Sequence, residues 1–132
     1  MRAERLGQVG LVVLAVGLVA AGLATVGGPG KGRTEAQDRT RLSDLQNLSH
    51  YVECVADAQG KRLPDTLATV DACKRALRLA DPFTGEAYRY ERLSDTAFRV
   101  CARFSGPEGL SGSWSDPFLD AETGCLTHPY RP

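Results

Sequence analysis

Residues 34–60, TEAQDRTRLSDLQNLSHYVECVADAQG, decide how this chain folds. Thr34-Glu35-Ala36-Gln37 has the form of a capping box, with Thr34 as N-cap and Gln37 reaching back to its amide. Leu42, Leu45, Leu48, Ser49, Val52, Val55 and Ala56 then fall on one stripe at helical spacing. Asp38, Arg39, Arg41, Glu53 and Asp57 lie mostly off that stripe, on the side expected to face water. Gly60 supplies a residue able to take the left-handed conformation that closes a helix. The spacing predicts a helix over 35–59 with one apolar face.

Upstream, no charged residue interrupts Leu6 to Val26, and Gln8 and Thr25 are its only polar residues. As a helix it would be about 31 Å long, close to the hydrocarbon thickness of a bilayer. Arg2, Glu4 and Arg5 precede it; Gly27-Gly28-Pro29-Gly30 follows, then Lys31 and Arg33. The sequence therefore divides into a cytoplasmic N-terminus (1–5), a transmembrane helix (6–26), a Gly/Pro linker (27–33) and an extracytoplasmic domain (34–132). A cleaved signal peptide is the competing reading, with Gly22-Leu23-Ala24 as its cleavage site; the length of the apolar run favours a retained anchor. Gly10, Gly17, Ala21 and Ala24 could form a helix-packing face, although a Gly/Ala-rich segment gives such spacings by chance.

Downstream, Leu63-Pro64-Asp65 restarts the chain, and Leu67, Val70, Cys73 and Leu77 form a shorter stripe that predicts one covering helix, or two half-helices, near 65–78. Asp81-Pro82-Phe83-Thr84-Gly85 carries turn residues and marks a switch of period. Strands are expected over 87–92 and 98–104, joined by a turn at Ser94-Asp95-Thr96, with a short further strand near 124–128. In the second, Phe98, Val100, Ala102 and Phe104 alternate with Arg99, Cys101 and Arg103, the period-two pattern of a half-buried sheet. Asp-Pro-Phe recurs at 116–118 and Thr-Gly at 123–124, which reads as a second turn of similar kind. The expected fold class is α+β: a long helix packed on a small antiparallel sheet.

The four cysteines, Cys54, Cys73, Cys101 and Cys125, contain no C-x-x-C pair. An even count in a small exported domain reads as two disulfides, with three connectivities open. Periodicity favours Cys54–Cys73, which ties the covering segment to the back of the long helix, and Cys101–Cys125, which fastens the tail to the outer side of the sheet. Each bridge closes a loop of about 20–25 residues, worth roughly 3 kcal/mol in the chain-entropy model. Four positive charges follow the apolar segment (Lys31, Arg33, Arg39, Arg41) against two and the α-amine before it, so a charge count alone would retain the domain in the cytoplasm. The disulfides point the other way, and the expected location is the cytoplasmic (inner) membrane with the domain in the periplasm.

Sixteen basic and sixteen acidic residues cancel, which removes the charge footprint of a nucleic-acid binder. No Gly-x-Ser-x-Gly, P-loop or Gly-x-Gly-x-x-Gly occurs, so no catalytic residue, cofactor, metal or small-molecule substrate is assigned. His50 and Cys54 are four apart on the helix and His128 is the only other histidine, a poor set for structural zinc. Asp116, Asp120 and Glu122 share one loop that could take a hard cation but reads more simply as a solvated turn. Trp114, in a Gly/Ser-rich loop, is a candidate partner contact. The expected partners are the lipid bilayer and another membrane or envelope protein.

The stretch Asp38–Phe104 resembles the globular part of type IV pilin-like proteins and type II secretion pseudopilins. The resemblance is carried by Arg41-Leu42-Ser43-Asp44-Leu45, by Gly60, Leu63-Pro64 and Leu67, by Asp81 to Gly85 with Tyr88 and Tyr90, and by Phe98 to Phe104. It implies a helix running from membrane into a domain where it packs on an antiparallel sheet. The chain departs from that pattern at Gly7-Gln8-Val9, where a prepilin-peptidase site and an early glutamate are missing. The expected role is therefore an anchored accessory subunit of a membrane or envelope complex, with a minor pseudopilin or pilus-like subunit as the alternative.

Overall fold

A computed structural model describes residues 2–67, 70–74, 76–106, 110 and 116–132 of the chain. Two compact units divide at the boundary between Thr34 and Glu35.

In the first unit, helix α1 (Arg2–Val26) gives way to a single turn residue, and helix α2 (Gly28–Ala58) begins at once. The break is confined to Gly27 and Gly28, with φ of 87° and 72°. Pro29 sits in the first turn of α2, where its missing N–H has no helical partner to lose. This corrects the expected linker over 27–33, of which only Gly27 and Gly28 depart from helical geometry. It also corrects the expected N-cap: the Thr34 hydroxyl donates to the Gly30 carbonyl at 3.1 Å, one turn back inside the helix.

In the second unit, α2 lays Leu42, Leu45, Leu48, Val52 and Ala56 against Tyr88, Phe98, Val100, Leu126 and Tyr130, and this forms the main core. The sheet has four antiparallel strands in the order β1-β2-β4-β3. They are β1 (Arg89–Ser94), β2 (Ala97–Cys101), β3 (Leu119–Asp120) and β4 (Cys125–Pro129). β1, β2 and β4 fall on the strands expected over 87–92, 98–104 and near 124–128, with shifted ends, and the two-residue β3 has no counterpart among them. Ala102 and Phe104 keep the predicted alternation and pack on the core after β2 has ended.

The covering segment is not the helix expected over 65–78. Among its described residues only Asp71–Cys73 is helical, as one 3-10 turn. An isolated helix of that length is marginal in water, and here the chain is held by other means. Tyr90 donates its hydroxyl to the Pro64 carbonyl at 2.6 Å, and the Val70 amide donates to the Tyr51 hydroxyl at 3.1 Å. Leu67, Val70 and Leu77 still turn inward, onto a second cluster of Tyr51, Val55 and Cys73. The apolar spacing thus marks real packing, achieved without the helix.

The recurring turns are a shared local structure. In Asp81–Gly85 and Asp120–Gly124 the glycine amide donates to the aspartate carbonyl, at 2.8 and 2.9 Å, and the glycine takes a positive φ of 75° and 67°. The two Asp-Pro-Phe units match as well: Asp81 and Asp116 each accept the amide of the phenylalanine two residues on, at 2.8 and 2.9 Å. The glycines differ in surroundings. A Cβ on Gly85 would meet open space, whereas one on Gly124 would lie 2.3 Å from the Ala102 carbonyl oxygen. Gly85→Ala is expected to cost about 1–2 kcal/mol for its left-handed backbone, and Gly124→Ala clearly more. Urea midpoints of the two variants check this, and equal losses would contradict it.

Candidate functional site

The apolar side chains of α1 are turned outward along its length. Its large aliphatic residues range from 58% exposed at Leu23 to 79% at Val26. The stretch reaches a mean hydropathy of 2.5, and among the described residues it belongs to the one helix long and apolar enough to cross a membrane. Thr25, one of the two polar residues between Leu6 and Val26, donates its hydroxyl to the Gly22 carbonyl at 2.8 Å, so that donor is satisfied within the helix. At the exit, the stem of Lys31 folds over Gly27, where an added Cβ would sit 2.6 Å from its Cδ.

The domain contains a buried ionic clamp that sequence pattern placed on the solvent side. Arg41 is 2% exposed and Asp38 1%. Arg41 donates from Nε to Asp81 and from one Nη to Asp38, both at 2.6 Å, and from the same Nη to the Ser105 hydroxyl at 3.0 Å. Asp38 also accepts the amides of Ser105 and Gly106, at 3.0 and 2.8 Å. The guanidinium carbon lies 5.5 Å from the centre of the Phe83 ring. Burial pulls the Arg41 pKa down and pushes that of Asp81 up. Hydrogen bonds reverse both: Asp81 and Asp38 raise Arg41, while the Phe83 amide, Arg41 and Thr84 lower Asp81. Both groups therefore stay charged. The signals available in the sequence were Asp38 and Arg41 three apart on the helix, and the aspartate heading the Asp-Pro-Phe-Thr-Gly turn. Nearby, the Tyr88 hydroxyl donates to Asp44 at 2.9 Å; burial first, and then Asp44, push its pKa well above the usual phenol value.

Both disulfides form as the face argument favoured, Cys54–Cys73 and Cys101–Cys125. Cys101 and Cys125 are direct partners across β2 and β4, with their Cα atoms 4.0 Å apart. Cys54 is exposed on the outer side of α2, and its sulfur is bonded to Cys73, so His50 and Cys54 do not form a ligand pair.

The other sequence candidates are less concentrated. Trp114 lies outside the described residues. Asp116 accepts the Phe118 amide and the Gln46 amide group, the latter at 2.8 Å. Asp120 accepts the Glu122 amide at 3.0 Å and the Thr123 hydroxyl at 2.9 Å. These carboxylates are engaged in shaping the turns, and among the described residues no three His, Cys, Asp or Glu side chains gather as a metal-ligand set. His128 is packed between Phe98 and Phe118, with ring centres 5.9 and 4.7 Å away, and its Nε2 is buried with no partner among the described residues.

Comparison with protein-family models, with curated proteins and with solved structures returned no match. The geometry therefore stands by itself: an outward-facing apolar helix and a small domain pinned by one ionic clamp and two disulfides.

Removing one member of the clamp strands a buried charge. Arg41→Leu and Asp81→Asn are each expected to cost about 3–5 kcal/mol, read from urea denaturation; a loss below ~1 kcal/mol, typical of exposed pairs, would deny the clamp its importance. His128 gives a pH dependence. Desolvation lowers its pKa below 6.5, against the opposing fields of Asp116 and Glu53. As pH falls through that value the unfolded chain takes up a proton that the folded chain refuses, so stability is present above it and declines below. Asp81 loses its contribution only further down, as pH falls through its lowered pKa. Thermal melts at pH values either side of 6.5 should show this decline in the wild type and a flatter profile in His128→Phe.

Proposed function

We propose that the protein is a single-pass, membrane-anchored interaction protein, an accessory subunit of a membrane or envelope complex. In this reading α1 lies in the cytoplasmic membrane and residues 34–132 form a domain in the periplasm. The observation that carries it is the pairing of an apolar, outward-facing helix with a domain cross-linked by two disulfides. Disulfides persist in oxidising compartments, and a bilayer is the solvent that suits an uncovered apolar helix.

A second reading, a pilus-like subunit, draws support from one observation: the helix resumes at Gly28 and continues to Ala58, whose later turns pack on an antiparallel sheet. That is the arrangement the family resemblance implies. The missing peptidase site at Gly7-Gln8-Val9 weighs against it.

Natively expressed protein should stay with membranes through alkaline carbonate extraction. Its domain should be cut by protease added to spheroplasts, and in mild detergent it should migrate on native gels in an assembly larger than the monomer. Release into the carbonate supernatant would remove the anchor, and migration as a lone monomer would remove the accessory role. Intact-mass measurement separates the two readings, since cleavage just before the apolar segment would favour the pilus-like one.

A further inference from the structure

The two disulfides have unlike surroundings. Cys101 and Cys125 are each 5% exposed, and the strands that carry them stay paired by their backbone ladder. In the other bridge Cys54 is exposed, while its partner Cys73 is 6% exposed. Beside that bridge is a cavity of about 450 Å³ lined by His50, Tyr51, Cys54, Ala72, Cys73 and Lys74. This volume lies in the range that admits small organic ligands. His50 and Lys74 are 63% and 79% exposed, placing one imidazole and one ammonium on its walls. The ammonium lies 3.8 Å from the exposed Asp71 carboxylate and the imidazole 3.5 Å from Glu53; the Lys74 charge beside the bridge favours an approaching thiolate. A cavity of about 470 Å³ also borders Cys101 and Cys125, with Arg89 and the Arg99–Glu91 pair in its lining, but there both half-cystines remain buried, so no sulfur is open to attack.

We propose that Cys54–Cys73 is a site of thiol–disulfide exchange for a low-molecular-weight thiol, with Cys54 as the sulfur attacked. The thiolate enters the cavity and bonds to Cys54 Sγ as the Cys54–Cys73 bond breaks. The electron pair leaves on Cys73 Sγ, which takes a proton from solvent; the products are a mixed disulfide on Cys54 and a free thiol at Cys73. A second thiol resolves the mixed disulfide, releasing the oxidised small disulfide and leaving Cys54 as a thiol. Two electrons then pass from two thiols into the protein. Exchange also releases the covalent hold on the covering segment, which keeps the Tyr51–Val70 and Tyr90–Pro64 hydrogen bonds and the Arg92–Asp65 pair.

The test uses the full-length protein in detergent, exposed to reduced glutathione, quenched by alkylation and read by peptide mass spectrometry. Expected are a glutathione adduct on Cys54, an alkylated Cys73 and an intact Cys101–Cys125 bridge, with opening rates differing by about tenfold or more. In denaturant the two rates should converge, because the selectivity belongs to the fold. Equal rates in the native protein, an adduct on Cys73 rather than Cys54, or an unchanged ratio in denaturant would each overturn the proposal.

Discussion

A guanidinium has been taken out of water at Arg41, and the second unit is arranged to compensate it. Desolvating an ion costs several kcal/mol, recovered only with opposite charge and well-formed hydrogen bonds. Asp38 comes from the same helix, Asp81 from the turn ahead of the sheet, and Ser105 from the chain leaving β2. Three segments far apart in sequence must therefore arrive together. The apolar face of α2 would tolerate small slides along the sheet, since burial is not directional; the clamp would not. It fixes the register of the helix on the strands, and the Phe83 ring beside the guanidinium excludes water from one side.

Around that point the domain is thinly built. Its main core is one helix face and one sheet face, and the outer side of α2 is covered by a segment whose described residues make a single 3-10 turn. The disulfides compensate for this in different ways. Cys54–Cys73 holds irregular chain against a helix, where few backbone hydrogen bonds could do so. Cys101–Cys125 reinforces a strand pair that already has a ladder. The Tyr130 hydroxyl, donated to Asp57 at 2.9 Å, ties the chain after β4 to the last turns of α2.

Much of this was legible in the sequence because it follows simple periods. The leucine stripe of α2, the alternation through Phe98 and Val100, and the opposed faces of the cysteines are local patterns that packing preserved. The clamp was hidden for the reason that makes it important. A pattern of apolar and polar positions assigns Asp38 and Arg41 to solvent, and only their distant partner Asp81 reverses that. The covering segment misled in the opposite direction: Leu67, Val70, Cys73 and Leu77 have helical spacing, yet a bridge at Cys73 and hydrogen bonds at Pro64 and Val70 satisfy the same contacts in another conformation. The glycines at 27–30 looked like a linker, but only Gly27 and Gly28 leave helical geometry, because a proline in the first turn of a helix is no obstacle to it.

Both disulfides join nearest neighbours along the chain, first cysteine to second and third to fourth. In any chain that enters an oxidising compartment N-terminus first, consecutive pairing lets Cys54 meet Cys73 before Cys101 is available. Cross-linking in order of appearance then yields the native pairing, with no mispaired bond left to be reshuffled.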